Sequence, residues 1–167
     1  MVYFITGGER SGKSRFAQQL ALSLTNQPVY VATARKWDSD FEERIARHQQ
    51  ERDTRWTNYE EEKHISCLPL HNRVAVIDCI TLWLTNFYTD TQYDLAQSLQ
   101  ASQAELDALL SLPADLIIIS NEIGMGVHAH TQTTRKFVEL HGWINQHIAT
   151  RADQVFLLVA GIPLKVK

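Results

Sequence analysis

Eight residues near the start of the chain have the types and spacing that bind phosphate. Gly7, Gly8, Glu9, Arg10, Ser11, Gly12, Lys13 and Ser14 match the pattern G-x-x-x-x-G-K-[ST]. The glycines allow backbone N–H groups to converge on phosphate oxygens, and the start of a following helix adds positive potential. In this pattern Lys13 reaches the β- and γ-phosphates, and the Ser14 hydroxyl holds Mg²⁺. All eight residues are therefore predicted to contact a nucleoside triphosphate, with Lys13 as a catalytic residue.

Two carboxylates follow apolar runs further along the chain. Asp78 ends the run 74–78, and Glu122 comes just after the run 116–120. The carboxyl ends of parallel strands meet at the edge where open α/β sheets bind ligands. Asp78 could support Mg²⁺ together with Ser14, or serve only as a cap or turn residue, and its position favours neither role. Glu122 could likewise lie near a ligand or belong only to its loop.

A histidine lies between two arginines on one predicted helix. A capping-box pattern at residues 39–42 predicts a helix over 41–52, and Arg44, His48 and Arg52 are spaced i, i+4 and i+8 along it. Neighbouring guanidinium groups lower the pKa of an imidazole, which keeps it neutral for attack on an α-phosphate, and they also stabilise the charge that develops there. On spacing alone, an amphipathic helix with His48 at the edge of the core is favoured over this catalytic role.

These residues need a scaffold that brings the ends of several strands together. Apolar runs at 2–6, 29–33, 74–78, 116–120 and 155–159 alternate with helical patterns at about 14–24, 41–52, 94–112 and 133–151, and a shorter helix is expected after Ile80. Continuous apolarity indicates strands buried on both faces, and alternation with helices indicates a parallel sheet. We expect one domain over 1–167. Its predicted class is an α/β P-loop NTPase (RecA-like) fold of three layers, with a mostly parallel sheet flanked by helices.

Composition narrows the function classes further. The 167 residues carry 16 Lys and Arg against 19 Asp and Glu, a net charge of -3, so binding to nucleic acid is not expected. Cys67 and Cys79 lack metal-like spacing, and the chain shows no secretory pattern, which together predict reduced thiols in the cytoplasm. We also expect no membrane span, because no apolar run approaches the required length.

Several short motifs, taken in order, resemble one known family. Besides the P-loop they are Val31-Ala32-Thr33-Ala34, Arg44-Ile45-Ala46-Arg47-His48, Trp56-Thr57-Asn58-Tyr59-Glu60, Ile77-Asp78-Cys79-Ile80-Thr81, Asn121-Glu122-Ile123-Gly124-Met125-Gly126 and Val159-Ala160-Gly161-Ile162-Pro163. The sequence is similar to the bifunctional adenosylcobinamide kinase/adenosylcobinamide-phosphate guanylyltransferases of cobalamin biosynthesis. The resemblance extends over essentially the whole chain.

The resemblance implies two reactions in the assembly of the nucleotide loop of vitamin B12. The hydroxyl of adenosylcobinamide, a corrinoid, is phosphorylated by a nucleoside triphosphate, ATP or GTP, and GTP then transfers GMP to that phosphate through a covalent GMP-histidine. The motif match makes His48 the histidine that carries GMP. It also implies a homotrimer and places further nucleotide contacts on Ala32, Thr33, Ala34, Gln49, Gln50, Glu51, Arg52, Glu60 and Asp78.

The sequence departs from the family pattern at several positions, two of them in the predicted nucleotide site, and two other functions are alternatives to this interpretation. Glu9 stands where the family usually has a small residue, and Asp78 stands where Glu is common. One alternative is a different small-molecule P-loop kinase that forms no covalent intermediate. Another is a nucleotide-sensing module without catalysis. Incubation with GTP alone separates these possibilities, because only the bifunctional kinase/guanylyltransferase interpretation predicts covalent labelling of the protein.

Overall fold

A seven-stranded sheet forms the centre of the molecule, whose computed structural model describes residues 1–35 and 53–167. In chain order the strands are β1 Val2–Gly7, β2 Val29–Ala32, β3 Thr57–Glu60, β4 Val74–Asp78, β5 Asp115–Ile119, β6 Gln154–Val159 and β7 Ile162–Lys165. Their order across the sheet is β3-β2-β4-β5-β1-β6-β7. Every neighbouring pair is parallel except β6 and β7, which are antiparallel. The carboxyl ends of β1 to β6 therefore all lie at the same end of the sheet.

Four α-helices lie within the described ranges. They are α1 Lys13–Leu24, α2 Ile80–Asp90, α3 Leu95–Leu110 and α4 Gln132–Arg151, and a short 3₁₀ turn spans Ile65–Cys67. Asp94 caps α3 by accepting a bond of 2.8 Å from the Gln97 backbone N–H. Thr131 caps α4 in the same way, at 3.1 Å from the Thr134 N–H. None of these helices has the length and apolarity needed to cross a membrane.

The helices cover both faces of the sheet. On one face, side chains such as Phe4 and Ile118 pack against α2, α3 and α4. On the other face, side chains such as Ile5 and Ile119 pack against α1. Burial on both faces explains why the inner strands are continuously apolar. The predicted three-layer α/β fold with a mostly parallel sheet is confirmed, and β5 lies between β1 and β4.

The sequence prediction omitted the two edge strands. The strand Thr57–Glu60 has a half-polar pattern and is exposed at alternate positions, which gives a weak apolar signal. The strand Ile162–Lys165 contains Pro163 and is exposed at all four positions, a composition that argues against a central strand. Both are edge strands, where a proline and exposed side chains are tolerated.

The remaining predicted elements match within one or two residues at their ends. The predicted strand 116–120 is Asp115–Ile119, and the predicted helix 94–112 ends two residues early, at Leu110. The shorter helix expected after Ile80 is a full element of eleven residues, Ile80–Asp90. The helix predicted over 41–52 lies outside the described residues.

Candidate active site

The P-loop connects the end of β1 to the start of α1, as its sequence pattern requires. Gly7 has a φ of +152°, and a Cβ there would approach the Leu158 carbonyl oxygen to 2.6 Å, so the position excludes a side chain. Gly12 has a φ of +94°, in the left-handed region that favours glycine. The Gly161 N–H donates to the Ser11 carbonyl oxygen at 2.9 Å. The segment that connects β6 and β7 therefore contacts the P-loop and stabilises its conformation.

Lys13 and Ser14 begin α1 beneath this loop. The Lys13 side chain is buried, and its Nζ donates to the Gly8 carbonyl oxygen at 2.6 Å, which places the ammonium group inside the loop. Burial lowers the pKa of Lys13, and the negative charges of Glu9 and Asp78 oppose this shift. A cation enclosed by a loop of backbone amides is arranged to receive phosphate oxygens.

Asp78 lies beside the P-loop, and this placement bears on its two predicted roles. The Ser14 hydroxyl donates to Asp78 Oδ2 at 2.8 Å, and the Tyr30 hydroxyl donates to the same oxygen at 2.5 Å. A hydroxyl and a carboxylate oxygen are the donors that Mg²⁺ takes from proteins at phosphate sites. The geometry therefore favours the role beside Mg²⁺ over that of a turn residue.

Tyr30 is a site residue that the sequence interpretation missed. It belongs to β2, in a run of apolar residues, and its ring makes an edge contact with Trp56 at 5.9 Å between centroids. The ring therefore counts as core, while its hydroxyl fixes the carboxylate of Asp78. A tyrosine in an otherwise aliphatic strand was the available signal, because a buried hydroxyl needs a partner.

The segment Ala32, Thr33 and Ala34 leaves the sheet next to Asp78. Thr33 is fully buried, and its hydroxyl donates to the Cys79 carbonyl oxygen at 2.8 Å and accepts from the Cys79 N–H at 2.9 Å. Its side chain therefore fixes the segment that follows β2 to the start of the segment that follows β4. Burial raises the pKa of the Cys79 thiol to about 12, which makes this thiol an ineffective nucleophile.

Of the other residues predicted to contact the nucleotide, some lie within the described ranges and the rest lie outside them. Glu60 ends β3 in register with Ala32, so it lies at the same sheet edge as Asp78, and its side chain is exposed. Glu9 and Arg10 are exposed at the turn of the P-loop. The predicted residues His48, Gln49, Gln50, Glu51 and Arg52, together with Arg44, lie outside the described residues.

A buried network of polar side chains lies at the carboxyl end of β5, at the same end of the sheet as Asp78. His141 of α4 is 2% exposed, and its Nε2 lies 3.0 Å from the Thr81 hydroxyl and 3.2 Å from the Ser120 hydroxyl. The Ser120 hydroxyl also donates to Asn145 Oδ1 at 2.7 Å. Burial lowers the pKa of His141 to about 4, so the ring is neutral at pH 7. The network ties α2 and α4 to the strand that runs beside the P-loop strand.

Residues 3–166 match a family described as cobinamide kinase / cobinamide phosphate guanyltransferase. The chain belongs to this family. The bifunctional adenosylcobalamin biosynthesis protein CobP of Pseudomonas aeruginosa is 38% identical over 168 residues, which cover 98% of this chain and 95% of that protein. The bifunctional adenosylcobalamin biosynthesis protein CobU of Escherichia coli (strain K12) is 33% identical over 183 residues, covering both chains completely. Among solved structures, the flagellar accessory protein FlaH of Methanocaldococcus jannaschii aligns with 99% of this chain and 77% of its own, at 15% identity and a TM-score of 0.47.

The family membership confirms the resemblance inferred from the short motifs. In this cobinamide kinase / guanyltransferase the P-loop residues and Asp78 lie together, and the histidine motif at residues 44–48 lies outside the described residues. The departure at Asp78 is accommodated locally, because the carboxylate still reaches the Ser14 hydroxyl at 2.8 Å.

Proposed function

We propose that this chain phosphorylates the hydroxyl of adenosylcobinamide and then converts the phosphate into adenosylcobinamide-GDP with GTP. The proposal is supported by one observation above all: the Ser14 hydroxyl and the Asp78 carboxylate meet at 2.8 Å beneath a P-loop that encloses Lys13, in a chain matched by the family over residues 3–166. The names of the curated relatives include both cobalamin biosynthesis and a double activity, which agrees with this assignment.

In the kinase step, the P-loop amides and Lys13 bind the phosphates of a nucleoside triphosphate, GTP or ATP. The acceptor oxygen forms a bond to the γ-phosphorus, the bond to the β–γ bridging oxygen breaks, and a nucleoside diphosphate leaves. Lys13 neutralises charge on the transferred group, because its ammonium lies within the loop and is shielded from water. Because Lys13 is buried, its charge interacts with the transferred phosphoryl group more strongly than a charge at the surface would.

Ser14 and Asp78 would hold the Mg²⁺ ion that accompanies the nucleotide. Both supply oxygen donors, and the hydrogen bond of 2.8 Å between them supports placing them at one site. When bound, Mg²⁺ supplies positive charge to the phosphate oxygens. The Tyr30 hydroxyl fixes Asp78 from the side of β2, so the carboxylate keeps its orientation towards α1.

In the guanylyltransferase step we assign the nucleophile to His48. A ring nitrogen would form a bond to the α-phosphorus of GTP as the bond to the α–β bridging oxygen breaks and pyrophosphate leaves. A phosphate oxygen of the phosphorylated corrinoid would then displace the histidine and give adenosylcobinamide-GDP. The assignment is supported by the family motif at residues 44–48 and by the arginines spaced around His48 in the sequence.

We also propose a cytoplasmic homotrimer. The cytoplasmic assignment is supported by Cys67 and Cys79, which form no disulfide. The trimer is implied by the family resemblance, and exposed apolar side chains near the C-terminal edge strand provide a surface for association. Val159, Ile162, Leu164 and Val166 are each between 57% and 70% exposed.

The proposal is tested by incubating the protein with Mg²⁺ and GTP labelled at the α-phosphate. We expect one GMP per chain by intact mass, bound through a P–N bond that survives mild base and hydrolyses in acid. His48→Asn should abolish this label, while the variant should still phosphorylate adenosylcobinamide because the kinase step uses no histidine adduct.

Each alternative function predicts a different result in the same assay. Phosphorylation of adenosylcobinamide without any protein label would favour a kinase that forms no covalent intermediate. Binding of GTP with neither label nor turnover would favour a sensing module. A label that persists on the His48→Asn protein would place the nucleophile at another residue.

A further inference from the structure

A groove of about 410 Å³ lies between helix α4 and the strands β1 and β6. Phe4 and Thr6 from β1 and Val155 and Leu157 from β6 form its floor. One wall is α4, on the side that carries Gly142 and Asn145, and the loop after β5 closes one end. This volume lies within the range of pockets that bind small molecules.

One end of the groove reaches the P-loop. The Ser120 N–H donates to the Ile5 carbonyl oxygen, and the Glu122 N–H donates to the Gly7 carbonyl oxygen, each at 2.9 Å. The chain after β5 therefore continues alongside β1 up to the first P-loop glycine. Glu122 also lines the groove, and its backbone bond to Gly7 places the residue where the groove meets the P-loop.

The groove has the chemistry of a site for an uncharged, largely apolar molecule. Among the residues that line it, which all belong to the described part of the chain, there is no Lys or Arg, so a second phosphate group has no cation there. Met125 stands at the mouth and is 77% exposed, which offers apolar surface to a larger ligand. Asn145, Gln146 and the neutral His141 supply polar groups on the wall formed by α4.

We propose that this groove is the acceptor site of the kinase step and that Glu122 receives the proton of the acceptor hydroxyl. The inference rests on the proposed function for the identity of the acceptor. The hydroxyl-bearing arm of adenosylcobinamide enters the groove, while the macrocycle, too large for 410 Å³, contacts Met125 at the mouth. As the hydroxyl oxygen bonds to the γ-phosphorus and the nucleoside diphosphate leaves with its electron pair, the hydroxyl proton passes to the Glu122 carboxylate.

Gly142→Leu tests the groove because it fills the space without disturbing the helix. A Cβ added at Gly142 meets no atom within 4 Å, and leucine is a better helix former than glycine. We expect the KM for adenosylcobinamide to rise by about tenfold or more, with the affinity for ATP unchanged. Glu139→Leu is the matched control, since it adds the same side chain to an exposed position of α4 that does not line the groove.

Glu122→Gln tests the proton acceptor. The Glu122 Oε1 accepts a bond of 2.7 Å from the Gly124 N–H, and a glutamine oxygen can keep that bond, so the loop should retain its conformation. We expect the kinase kcat to fall by about a hundredfold, while the KM for adenosylcobinamide changes by less than about threefold. A residue that only shaped the loop would not produce this separation of kcat from KM.

The possible failures are distinguishable. A wild-type protein that does not phosphorylate adenosylcobinamide would overturn the proposed function. Wild-type turnover with an unchanged KM in Gly142→Leu would overturn the acceptor groove, and a changed oligomer mass in that variant would instead assign the groove to a second copy of the chain. If Gly142→Leu does not fold, Met125→Asp at the exposed mouth replaces it, and an unchanged KM there would also refute the proposal.

Discussion

Lys13 combines a buried position with a positive charge, and that combination is normally unfavourable. Its side chain is 7% exposed, and burial lowers its pKa. A buried ammonium is stable only where it is hydrogen-bonded and near opposite charge, and here it donates to the Gly8 carbonyl oxygen with Glu9 and Asp78 nearby. The cost of burying this charge is consistent with a residue kept for phosphate binding.

Replacing Lys13 by alanine should therefore remove catalysis while the fold remains. We expect Lys13→Ala to lower the kinase kcat/KM by at least a hundredfold, about 3 kcal/mol, because one transition-state contact to the transferred group is lost. Steady-state kinetics with adenosylcobinamide measures the effect, and thermal unfolding checks the fold. Lys136→Ala on α4 is the control for losing a lysine, and near-wild-type turnover by folded Lys13→Ala would contradict the P-loop assignment.

His141 gives the molecule a pH-dependent stability at mildly acid pH. Its pKa is about 4 in the folded protein because it is buried, against 6.5 for the unfolded chain. Between these values the unfolded state binds more protons, so the stabilisation is complete above pH 6.5 and is lost as the pH falls towards 4. We expect the free energy of unfolding to fall by about 2.5 kcal/mol between pH 7 and pH 4.5.

Urea unfolding at a series of pH values measures this change. His141→Gln should flatten the profile between pH 4.5 and 6.5, and His64→Gln at an exposed position should not. The window is specific, because acidic groups whose pKa is lowered, such as Asp107, lose their contribution only below about pH 4. An unchanged slope in His141→Gln would show that another group titrates there.

At the scale of elements, α2 fastens the loops that carry predicted nucleotide contacts. Asn86 is fully buried, and its amide nitrogen donates to the Thr33 carbonyl oxygen at 2.8 Å and to the Glu62 carbonyl oxygen at 3.0 Å. One side chain thus joins the segment after β2 and the segment after β3 to α2. These two segments also carry Arg35 and Glu62, whose ion pair at 2.7 Å lies nearer the surface.

Asn86→Ala should consequently affect both stability and nucleotide binding. Loss of both bonds leaves two backbone carbonyls without this donor, which we expect to cost about 3 kcal/mol in the free energy of unfolding. The segment Ala32 to Ala34 would lose its anchor, so the affinity for GTP should fall as well. Urea unfolding and equilibrium binding measure the two effects, with Thr85→Ala as the control, because its hydroxyl donates to the Thr81 carbonyl oxygen within α2. Wild-type stability in Asn86→Ala would disprove the anchoring role.

The helices and strands that the sequence predicted correctly are those whose own residues carry a clear pattern. The five inner strands are apolar on both faces, and the P-loop pattern lies between a strand and a helix, so both were recognisable locally. The edge strands β3 and β7 depend on pairing with β2 and β6, and their sequences carry little independent signal. The same limit applies to the site, since Lys13 and Ser14 belong to a motif, whereas Tyr30 meets Asp78 only because β2 pairs with β4 in the folded sheet.

At the scale of the whole molecule, the surface formed by the edge strand β7 and its flanking residues is unusually apolar. Ile162 and Leu164 of β7 are 70% and 57% exposed, and Val159 and Val166 flank them. An edge strand with exposed apolar side chains tends to associate unless charge or curvature prevents it. Lys165 is the charged residue within β7. This surface is therefore the one we expect to mediate assembly.

The assembly itself is the final prediction. Light scattering should give a mass about three times the 19.1 kDa of one chain, because the family resemblance implies a trimer and β7 provides an uncovered apolar edge. Replacing both Ile162 and Leu164 by lysine should lower that mass, since two charges would have to be buried at the contact. Leu24→Lys, at a position 42% exposed on α1, is the control for adding charge at an exposed leucine. A wild-type protein that is monomeric at micromolar concentration and fully active would refute the trimer, whereas an unchanged mass in the double variant would move the contact away from β7.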